Sequence, residues 1–228
     1  MIPKRAMFYW SGPPMSWLRQ QSIETFKKHN PDWEVVLLGG DYDSDSFKLR
    51  VIHSDLVRYE NLHTLGGMYF DTDIIFTAPI PDEWRSKDNA IVARDGLAQG
   101  IACLGAKQGS RLFGSLVDRC NERLQSKIIL AYQSLGIKLF ADSDVRRMAA
   151  NFGESIFQIP IERLFAAPWS GVELLWSDTP MVVPGDAVGV HWFGGDEISR
   201  EMEPKITPDT LDKHPCLLTR MLKSEVAA

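Results

Sequence analysis

Two aspartates in a short apolar segment are the residues of this sequence whose types and spacing most clearly suggest chemistry. Asp71 and Asp73 are separated by Thr72 within the segment MYFDTDIIF. The β-branched and aromatic neighbours favour a strand, in which side chains two positions apart point to the same face. Two like charges would then lie side by side, which is costly unless a positive group lies against them. We therefore expect the pair to bind Mg²⁺ or Mn²⁺, with substrate phosphates completing the coordination.

The D-x-D spacing alone is weak support for a metal site, because the sequence contains four such pairs. The run DYDSDS at residues 41–46 lacks the glycine and glutamate that a calcium-binding EF-hand requires at its sixth and twelfth positions, so we interpret it as a solvated acidic loop. Asp142 and Asp144 lie where a helix is predicted to begin, where acidic side chains cap the helix. For Asp71 and Asp73 the structural alternative is an edge strand whose acidic face points to water.

A second polar pair precedes the D-x-D segment. A helix is predicted to start near His53 or Ser54 and to end at Gly66-Gly67, a usual position for glycine after a helix. Asp55 and Arg58 are three residues apart on this helix, so they share one face. They are either an ordinary intrahelical ion pair or a pair that binds the hydroxyls of a polar ligand.

The string SDLVR at 54–58 followed by GGMYFDTD at 66–73 closely resembles glycosyltransferase family 32, and the same pattern occurs in the large glucosylating bacterial toxins. The resemblance implies a GT-A fold and transfer of a sugar from a nucleotide-sugar donor. It implies that Asp73 is the direct metal ligand and that Asp71 contacts the ribose and the water shell of the metal. It also implies that Asp55 and Arg58 hold hydroxyls of the donor sugar.

The same resemblance assigns roles to residues outside this string. Tyr69 would line the donor pocket, and Trp10 at the end of the first strand would stack on the nucleotide base; a core position beside Phe8 is the alternative for Trp10. His191 follows an apolar run and would complete the metal site, with Trp192 beside it at the donor. A buried structural histidine is the alternative for His191. Gly194 and Gly195 would let the following loop move over the donor.

The expected reaction is metal-dependent transfer of a hexose from a UDP- or GDP-sugar to a hydroxyl acceptor, and the resemblance implies retention of anomeric configuration. Mn²⁺ or Mg²⁺ is the expected cofactor, and Asp95 is a weaker candidate for a group beside the anomeric carbon. Glycan or polysaccharide biosynthesis is the favoured setting. A modified nucleic-acid base and a protein side chain are alternative acceptors. The rival functions are a haloacid-dehalogenase-type phosphatase, with Asp71 as nucleophile, and a non-catalytic module that binds sugar nucleotides.

Composition bounds these expectations. The 228 residues suffice for one sizeable α/β domain, and we predict a single domain with a donor-binding half at 1–105 and an acceptor half at 106–228 that completes the metal site. The net charge of −5 disfavours a nucleic-acid partner. The three cysteines lack metal-like spacing, which favours reduced, buried thiols. With no signal sequence and no transmembrane segment recognised, we expect a cytoplasmic protein, peripheral to the membrane only through a partner.

Periodicity places these residues on alternating strands and helices. Strands are predicted at 6–10, 33–38, 68–76, 90–94 and 101–105, and helices at 16–29, 54–65, 110–124 and 142–151. Beyond residue 153 the pattern indicates short strands, including PMVVP at 180–184 and AVGVH at 187–191, before a final helix at 208–223. This order predicts a Rossmann-like α/β fold, with a mainly parallel mixed sheet flanked by helices.

Overall fold

The computed structural model describes residues 1–39, 46–94, 97–126, 130–131 and 133–227. The strands are β1 (Arg5–Trp10), β2 (Glu34–Gly39), β3 (Gly67–Phe70), β4 (Ile74–Phe76), β5 (Asn89–Arg94), β6 (Leu97–Ala106), β7 (Ile156–Pro160) and β8 (Gly189–His191). The α-helices are α1 (Trp17–His29), α2 (Phe47–Thr64), α3 (Arg111–Gln125), α4 (Ile137–Asp142), α5 (Val145–Asn151), α6 (Val172–Trp176), α7 (Glu197–Met202) and α8 (Leu217–Ala227). Short 3₁₀ turns occur at Asp82–Arg85, Ile161–Arg163, Trp169–Gly171, Glu203–Lys205 and Leu211–Lys213.

The chain forms two compact units, each built from segments that are not contiguous in sequence. The first unit contains Met1–Pro13, Asp32–Asp71 and Pro81–Ile159, and the second contains Pro14–Pro31, Thr72–Ile80 and Pro160–Ala228. The peptide bond between Asp71 and Thr72 is therefore one of the points at which the chain passes from one unit to the other. The functional division of the chain near residue 105 stays a prediction.

The first unit is built on a six-stranded sheet with the order β2-β1-β3-β6-β5-β7. Strand β1 pairs in parallel with β2 and β3, and β6 pairs antiparallel with β3 and β5. Side chains of α2, α3, α4 and α5 form one apolar core with inward-facing residues of the sheet; its largest fully buried members include Tyr59, Tyr69, Phe113 and Phe140. The mixed α/β architecture expected from the sequence is confirmed.

The second unit is built around the two-stranded antiparallel sheet of β4 and β8, in which Ile74 pairs with His191. Its core combines β-strand, helix and loop residues, among them Leu18, Ile75, Leu175, Trp192 and Leu218. Thr25 of α1 accepts a hydrogen bond from the amide of Phe76 at 3.1 Å, which fixes α1 against β4.

Two glycines end helix α2 where the sequence predicts. Gly66 and Gly67 adopt positive φ values of 65° and 122°, which L side chains rarely adopt. Both are also sterically confined, since a Cβ on Gly66 would lie 2.5 Å from the backbone nitrogen of Gln108 and one on Gly67 would lie 2.6 Å from the carbonyl oxygen of Arg5. These glycines let the chain turn directly from α2 into β3.

Five secondary-structure expectations are wrong. The final helix, expected at 208–223, begins only at Leu217. The segment 68–76 is two strands in different sheets rather than one. Helix α2 begins at Phe47, because Ser46 caps it by accepting a hydrogen bond from the amide of Leu49 at 3.4 Å. The helix predicted at 142–151 begins only at Val145, where Asp144 is the N-cap, and the separate helix α4 precedes it. The segment 180–184 is not a strand, and the region around it contains helices α6 and α7.

Two further expectations concern cysteines and membranes. Cys103, Cys120 and Cys216 are buried and form no disulfide, which confirms the prediction of free, buried thiols. Within the described ranges, no helix is both long enough and apolar enough to cross a lipid bilayer. The acidic loop predicted from residue 41 lies outside the described residues, apart from Ser46, and so does Asp95.

Candidate functional site

The first unit contains a cluster of polar side chains formed by the buried Asp55, Arg58 and Tyr69 and the partly exposed Asp71. Arg58 is only 4% exposed, and its Nη2 donates to Asp71 Oδ1 at 2.8 Å. The same Nη2 lies 3.8 Å from Asp55 Oδ1, and the guanidinium carbon lies 4.4 Å from the centre of the Tyr69 ring. Arg58 Nη1 donates to the carbonyl of Ile101 at 2.8 Å, which anchors the side chain to β6. The Arg58 guanidinium thus lies against the carboxylates of both Asp55 and Asp71. Asp55 and Arg58 share one face of α2, as the sequence predicts.

Near neutral pH, Asp55 is present in both its protonated and its ionised form. Burial raises the pKa of Asp55 to about 7, and the charge of Arg58 opposes that rise only in part. Burial lowers the pKa of Arg58, but Asp71, Tyr69 and Asp55 together raise it by more, so the guanidinium stays charged. Within the described chain Asp55 Oδ2 has no hydrogen-bond partner, although it is buried. A buried carboxylate oxygen without a partner is a position at which a ligand hydroxyl could bind.

Asp71 and Asp73 do not share a strand face, which corrects the expectation drawn from their spacing. The Asp71 amide donates to the carbonyl of Ala102 at 2.8 Å, so Asp71 extends the pairing of β3 with β6. The Asp73 carbonyl accepts from the amide of Trp192 at 3.0 Å, so Asp73 extends the pairing of β4 with β8. The two acids therefore lie at the ends of two different ladders, with Thr72 as the only residue between them.

In the second unit, the Asp73 carboxylate lies between two groups from the segment after β8. Gly194 donates its backbone N–H to Asp73 Oδ2 at 2.5 Å, and His191 Nε2 lies 3.2 Å from Asp73 Oδ1. Burial raises the pKa of Asp73, but the charges of His191 and Arg19 and the Gly194 amide lower it by more, so the net pKa is well below its usual range. Asp73 is therefore ionised at neutral pH although it is only 7% exposed.

His191 is buried among aromatic rings and makes no ordinary hydrogen bond with its side chain. Its ring centre lies 4.9 Å from that of Phe165 and 4.6 Å from that of Phe193. Neither ring nitrogen is assigned a hydrogen-bond partner among the described residues, and Nε2 makes an ion pair with Asp73 Oδ1. An imidazole nitrogen beside a carboxylate fits Mn²⁺, which accepts both nitrogen and oxygen ligands.

Gly194 contributes through its backbone, a role that the sequence analysis missed. A Cβ at this position would lie 2.1 Å from Arg19 Nη2 and 3.0 Å from Asp73 Oδ2. Phe193, just before it, has a φ of 54°, an uncommon left-handed value for a non-glycine residue. The adjacent Gly-Gly pair in the sequence indicated a special backbone here, but not its contact with Asp73. Arg19 gave no signal at all in the sequence.

The two predicted tryptophans occupy different environments. Trp10, at the end of β1, is partly exposed and donates its indole N–H to the carbonyl of Pro13 at 2.8 Å. Trp192 is fully buried in the core of the second unit, and its indole N–H has no hydrogen-bond partner among the described residues. Donor contacts by Trp10, Trp192 and Tyr69 stay predictions.

Comparison with known proteins supports the resemblance seen in the sequence. Residues 17–91, about a third of the chain, match the family model described as a glycosyltransferase sugar-binding region containing a DXD motif. This range includes the Asp55–Arg58 pair and both acids of the D-x-D segment. A search of curated proteins finds no match.

Solved structures of glycosyltransferases resemble the fold. Glycosyltransferase GlyE of Streptococcus pneumoniae TIGR4 superimposes with a TM-score of 0.50 at 13% sequence identity, covering 99% of this chain and 61% of GlyE. Galactosyltransferase LgtC, solved with donor and acceptor sugar analogues, gives a TM-score of 0.49 at 11% identity, covering 98% of this chain and 95% of LgtC. The PaToxG glycosyltransferase gives 0.47 at 14% identity, covering 67% of this chain and 75% of that one.

The likeness to GlyE concerns the fold alone, and the chain spans less than two thirds of the GlyE chain. The GT-A-type α/β fold expected from the sequence is confirmed. The fold similarity says nothing about individual site residues. The family model does, because it matches the segment that contains Asp71 and Asp73. Residues 17–91 therefore match the DXD-bearing sugar-binding region of glycosyltransferases, and the rest of the chain lies outside that match.

Proposed function

We propose that this protein is a metal-dependent glycosyltransferase that moves a hexose from a UDP- or GDP-sugar to a hydroxyl acceptor. The observation that carries the proposal is the pairing of Asp73 with His191, whose buried ring nitrogens have no hydrogen-bond partner among the described residues. The match of the surrounding segment to a glycosyltransferase sugar-binding region supports it. A hydroxyl of a glycan is the acceptor class that we favour.

Asp73, His191 and Asp71 are the residues that would hold Mn²⁺ or Mg²⁺. Asp73 is kept ionised by its surroundings, and Asp71 is two residues away along the chain. When bound, the cation would stabilise the negative charge that develops on the nucleotide diphosphate as the sugar departs. Gly194 N–H and the aromatic rings around His191 would keep both ligands in place while the donor binds.

Asp55 and Arg58 would orient the donor sugar. Arg58 is fixed by Asp71, Ile101 and the ring of Tyr69, so its position is set before any ligand arrives. Asp55 retains a buried oxygen that has no hydrogen-bond partner in the described part of the chain, and this oxygen could accept a hydrogen bond from a sugar hydroxyl. A pair held in this way lowers the entropic cost of orienting the anomeric carbon toward the acceptor. Trp10, Tyr69 and Trp192 are the further donor contacts in this proposal.

The decisive experiment compares two double variants that each remove one D-x-D pair. Purified wild type, Asp71→Asn/Asp73→Asn and the control Asp142→Asn/Asp144→Asn are incubated with UDP- and GDP-hexoses and Mn²⁺, and release of nucleotide diphosphate is measured. We expect turnover in the wild type and the control and none in the 71/73 variant. Asparagine at position 144 retains the ability to cap α5, so the control should fold.

Retention is tested by following the anomeric configuration of the product by NMR.

Two results would contradict the proposal. Release of phosphate from a phosphomonoester, with no nucleotide diphosphate from any sugar donor, would indicate a phosphatase. Donor binding in the wild type that persists after chelation of metal, without turnover, would indicate a binding module. Thermal shift with each sugar nucleotide, with and without Mn²⁺, separates these outcomes because only a bound ligand stabilises the folded state.

A further inference from the structure

Arg19 in the first turn of α1 lies beside the D-x-D segment. Its Nη1 donates to Thr72 Oγ1 at 2.9 Å, and Thr72 is the residue between the two acids. Its Nε donates to Glu203 Oε1 at 2.8 Å. The Arg19 and Glu203 side chains are 13% and 10% exposed, so this ion pair is largely removed from water.

The same carboxylate is tied to the start of α1. Ser16 caps this helix by accepting from the amide of Arg19 at 3.2 Å, and its hydroxyl donates to Glu203 Oε1 at 2.7 Å. Arg19 is therefore held at its backbone by Ser16 and at its guanidinium by Glu203. The Arg19 guanidinium, which contacts Thr72, cannot change position without breaking its buried, charged hydrogen bond to Glu203.

The space around Arg19 is shared with Asp73. A methyl group at Gly194 would contact Arg19 Nη2 on one side and Asp73 Oδ2 on the other. Thr72 is 4% exposed and Asp73 is 7% exposed, so the guanidinium, the hydroxyl and the carboxylate occupy one buried region of the second unit. Glycine is the residue at 194 that leaves room for this arrangement.

We propose that Arg19 is a positioning residue for Asp73, the second acid of the D-x-D segment, acting through its hydrogen bond to Thr72. Thr72 is joined to Asp73 by a peptide bond, so rotation of the Thr72 backbone would displace the Asp73 carboxylate. The bond to Arg19 restrains that rotation at the point where the chain leaves one ladder and enters another. The role rests on the proposed function, in which the D-x-D acids hold a divalent cation.

Removing the hydroxyl tests the role without altering any charge. Thr72→Val keeps the shape of threonine but cannot accept from Arg19, whereas Thr72→Ser retains the acceptor. We expect Thr72→Val to weaken Mn²⁺ binding by roughly 10–100-fold, the effect typical of losing a supporting contact to a metal ligand, and Thr72→Ser to stay close to wild type. Mn²⁺ affinity is measured by electron paramagnetic resonance on the donor-free protein, and kcat and KM for the donor are measured in parallel.

Variants of Arg19 distinguish its positioning role from the effect of its positive charge on Mn²⁺ binding. If Arg19 acted only as a cation near Asp73, Arg19→Met would tighten Mn²⁺ binding by relieving charge repulsion; a positioning role predicts weaker binding. Arg19→Lys keeps the charge but not the planar fork, so we expect it to behave like Arg19→Met. The double variant Arg19→Met/Thr72→Val should be no weaker than the worse single variant, because both remove one interaction. Arg220→Met, which breaks the exposed pair with Asp178, is the control.

The outcomes distinguish this inference from the proposed function. Mn²⁺ binding that is lost in Asp73→Asn but unchanged in Thr72→Val and Arg19→Met would overturn the positioning role alone. Tighter binding in Arg19→Met would overturn it as well. Failure of the wild type to bind Mn²⁺ would overturn both. If Arg19→Met does not fold, the comparison of Thr72→Val with Thr72→Ser still decides, since neither removes a charge.

Discussion

His191 Nε2 lies 3.2 Å from Asp73 Oδ1, although 118 positions separate the two residues in the sequence. The antiparallel pairing of β4 with β8 produces this proximity, since Ile74 is opposite His191 in the register. The same register pairs Asp73 with Trp192 through a backbone hydrogen bond of 3.0 Å. The proximity of Asp73 and His191 at two adjacent strand ends is thus a direct result of strand pairing.

His191→Ala should weaken Mn²⁺ binding by at least about tenfold, because it removes the nitrogen ligand of the proposed site. His214→Ala, in the same unit, is the matched control and should bind Mn²⁺ like the wild type. Isothermal titration calorimetry of both variants checks the prediction. Equal affinities in the two variants would show that His191 is a structural histidine.

The stability of the protein should fall as the pH rises from about 4 to about 7. Burial raises the pKa of Asp55 to about 7, above its ordinary value of 3.8, so in this window the folded protein holds a proton that the unfolded chain has released. The contribution of Asp55 is therefore fully present below pH 4 and is lost by pH 7, with a slope of up to about 1.4 kcal/mol per pH unit.

Asp55→Asn should remove that slope, because asparagine does not titrate. Urea unfolding at pH 4, 5, 6 and 7 measures the free energy of unfolding for the wild type and the variant. Asp144→Asn, which changes an exposed helix cap of the first unit, should keep the slope of the wild type. A wild-type curve that is as flat as that of Asp55→Asn would contradict the raised pKa.

Arg58→Met should destabilise the protein by about 3–5 kcal/mol, because it leaves the buried Asp55 without its cation and breaks the 2.8 Å bond to Asp71. The exposed pair of Asp144 and Arg147 has the same three-residue spacing on a helix, so Arg147→Met is a matched control. Its cost should be less than about 1 kcal/mol. Urea unfolding measures the free energy of unfolding of the two variants. Similar decreases in both would show that the ion pairs of Arg58 contribute no more than an exposed surface pair.

Asp55→Asn combined with Arg58→Met should recover part of the lost stability. The double variant removes a buried carboxylate together with the cation that compensates it, which is less costly than removing the cation alone. A double-mutant cycle on the free energy of unfolding measures this coupling.

Several features were predictable because they depend on residues close together in the sequence. The Asp55–Arg58 face and the Gly66-Gly67 helix stop each arise within one or two helical turns. The alternation of strands and helices in the first half likewise reflects local periodicity. The D-x-D acids and the resemblance of their segment to a sugar-transferase region were visible for the same reason.

The tertiary structure alone decided where the strand at 68–76 breaks and which groups meet Asp73. Side-chain types in MYFDTDIIF favour one strand throughout, but Phe70 pairs with β6 and Ile74 pairs with β8, so the chain must change sheets at Thr72. The contacts of Gly194 with Asp73 and of Arg19 with Thr72 join residues 121 and 53 positions apart. Local propensity cannot specify such contacts, because they depend on which distant segments share a core.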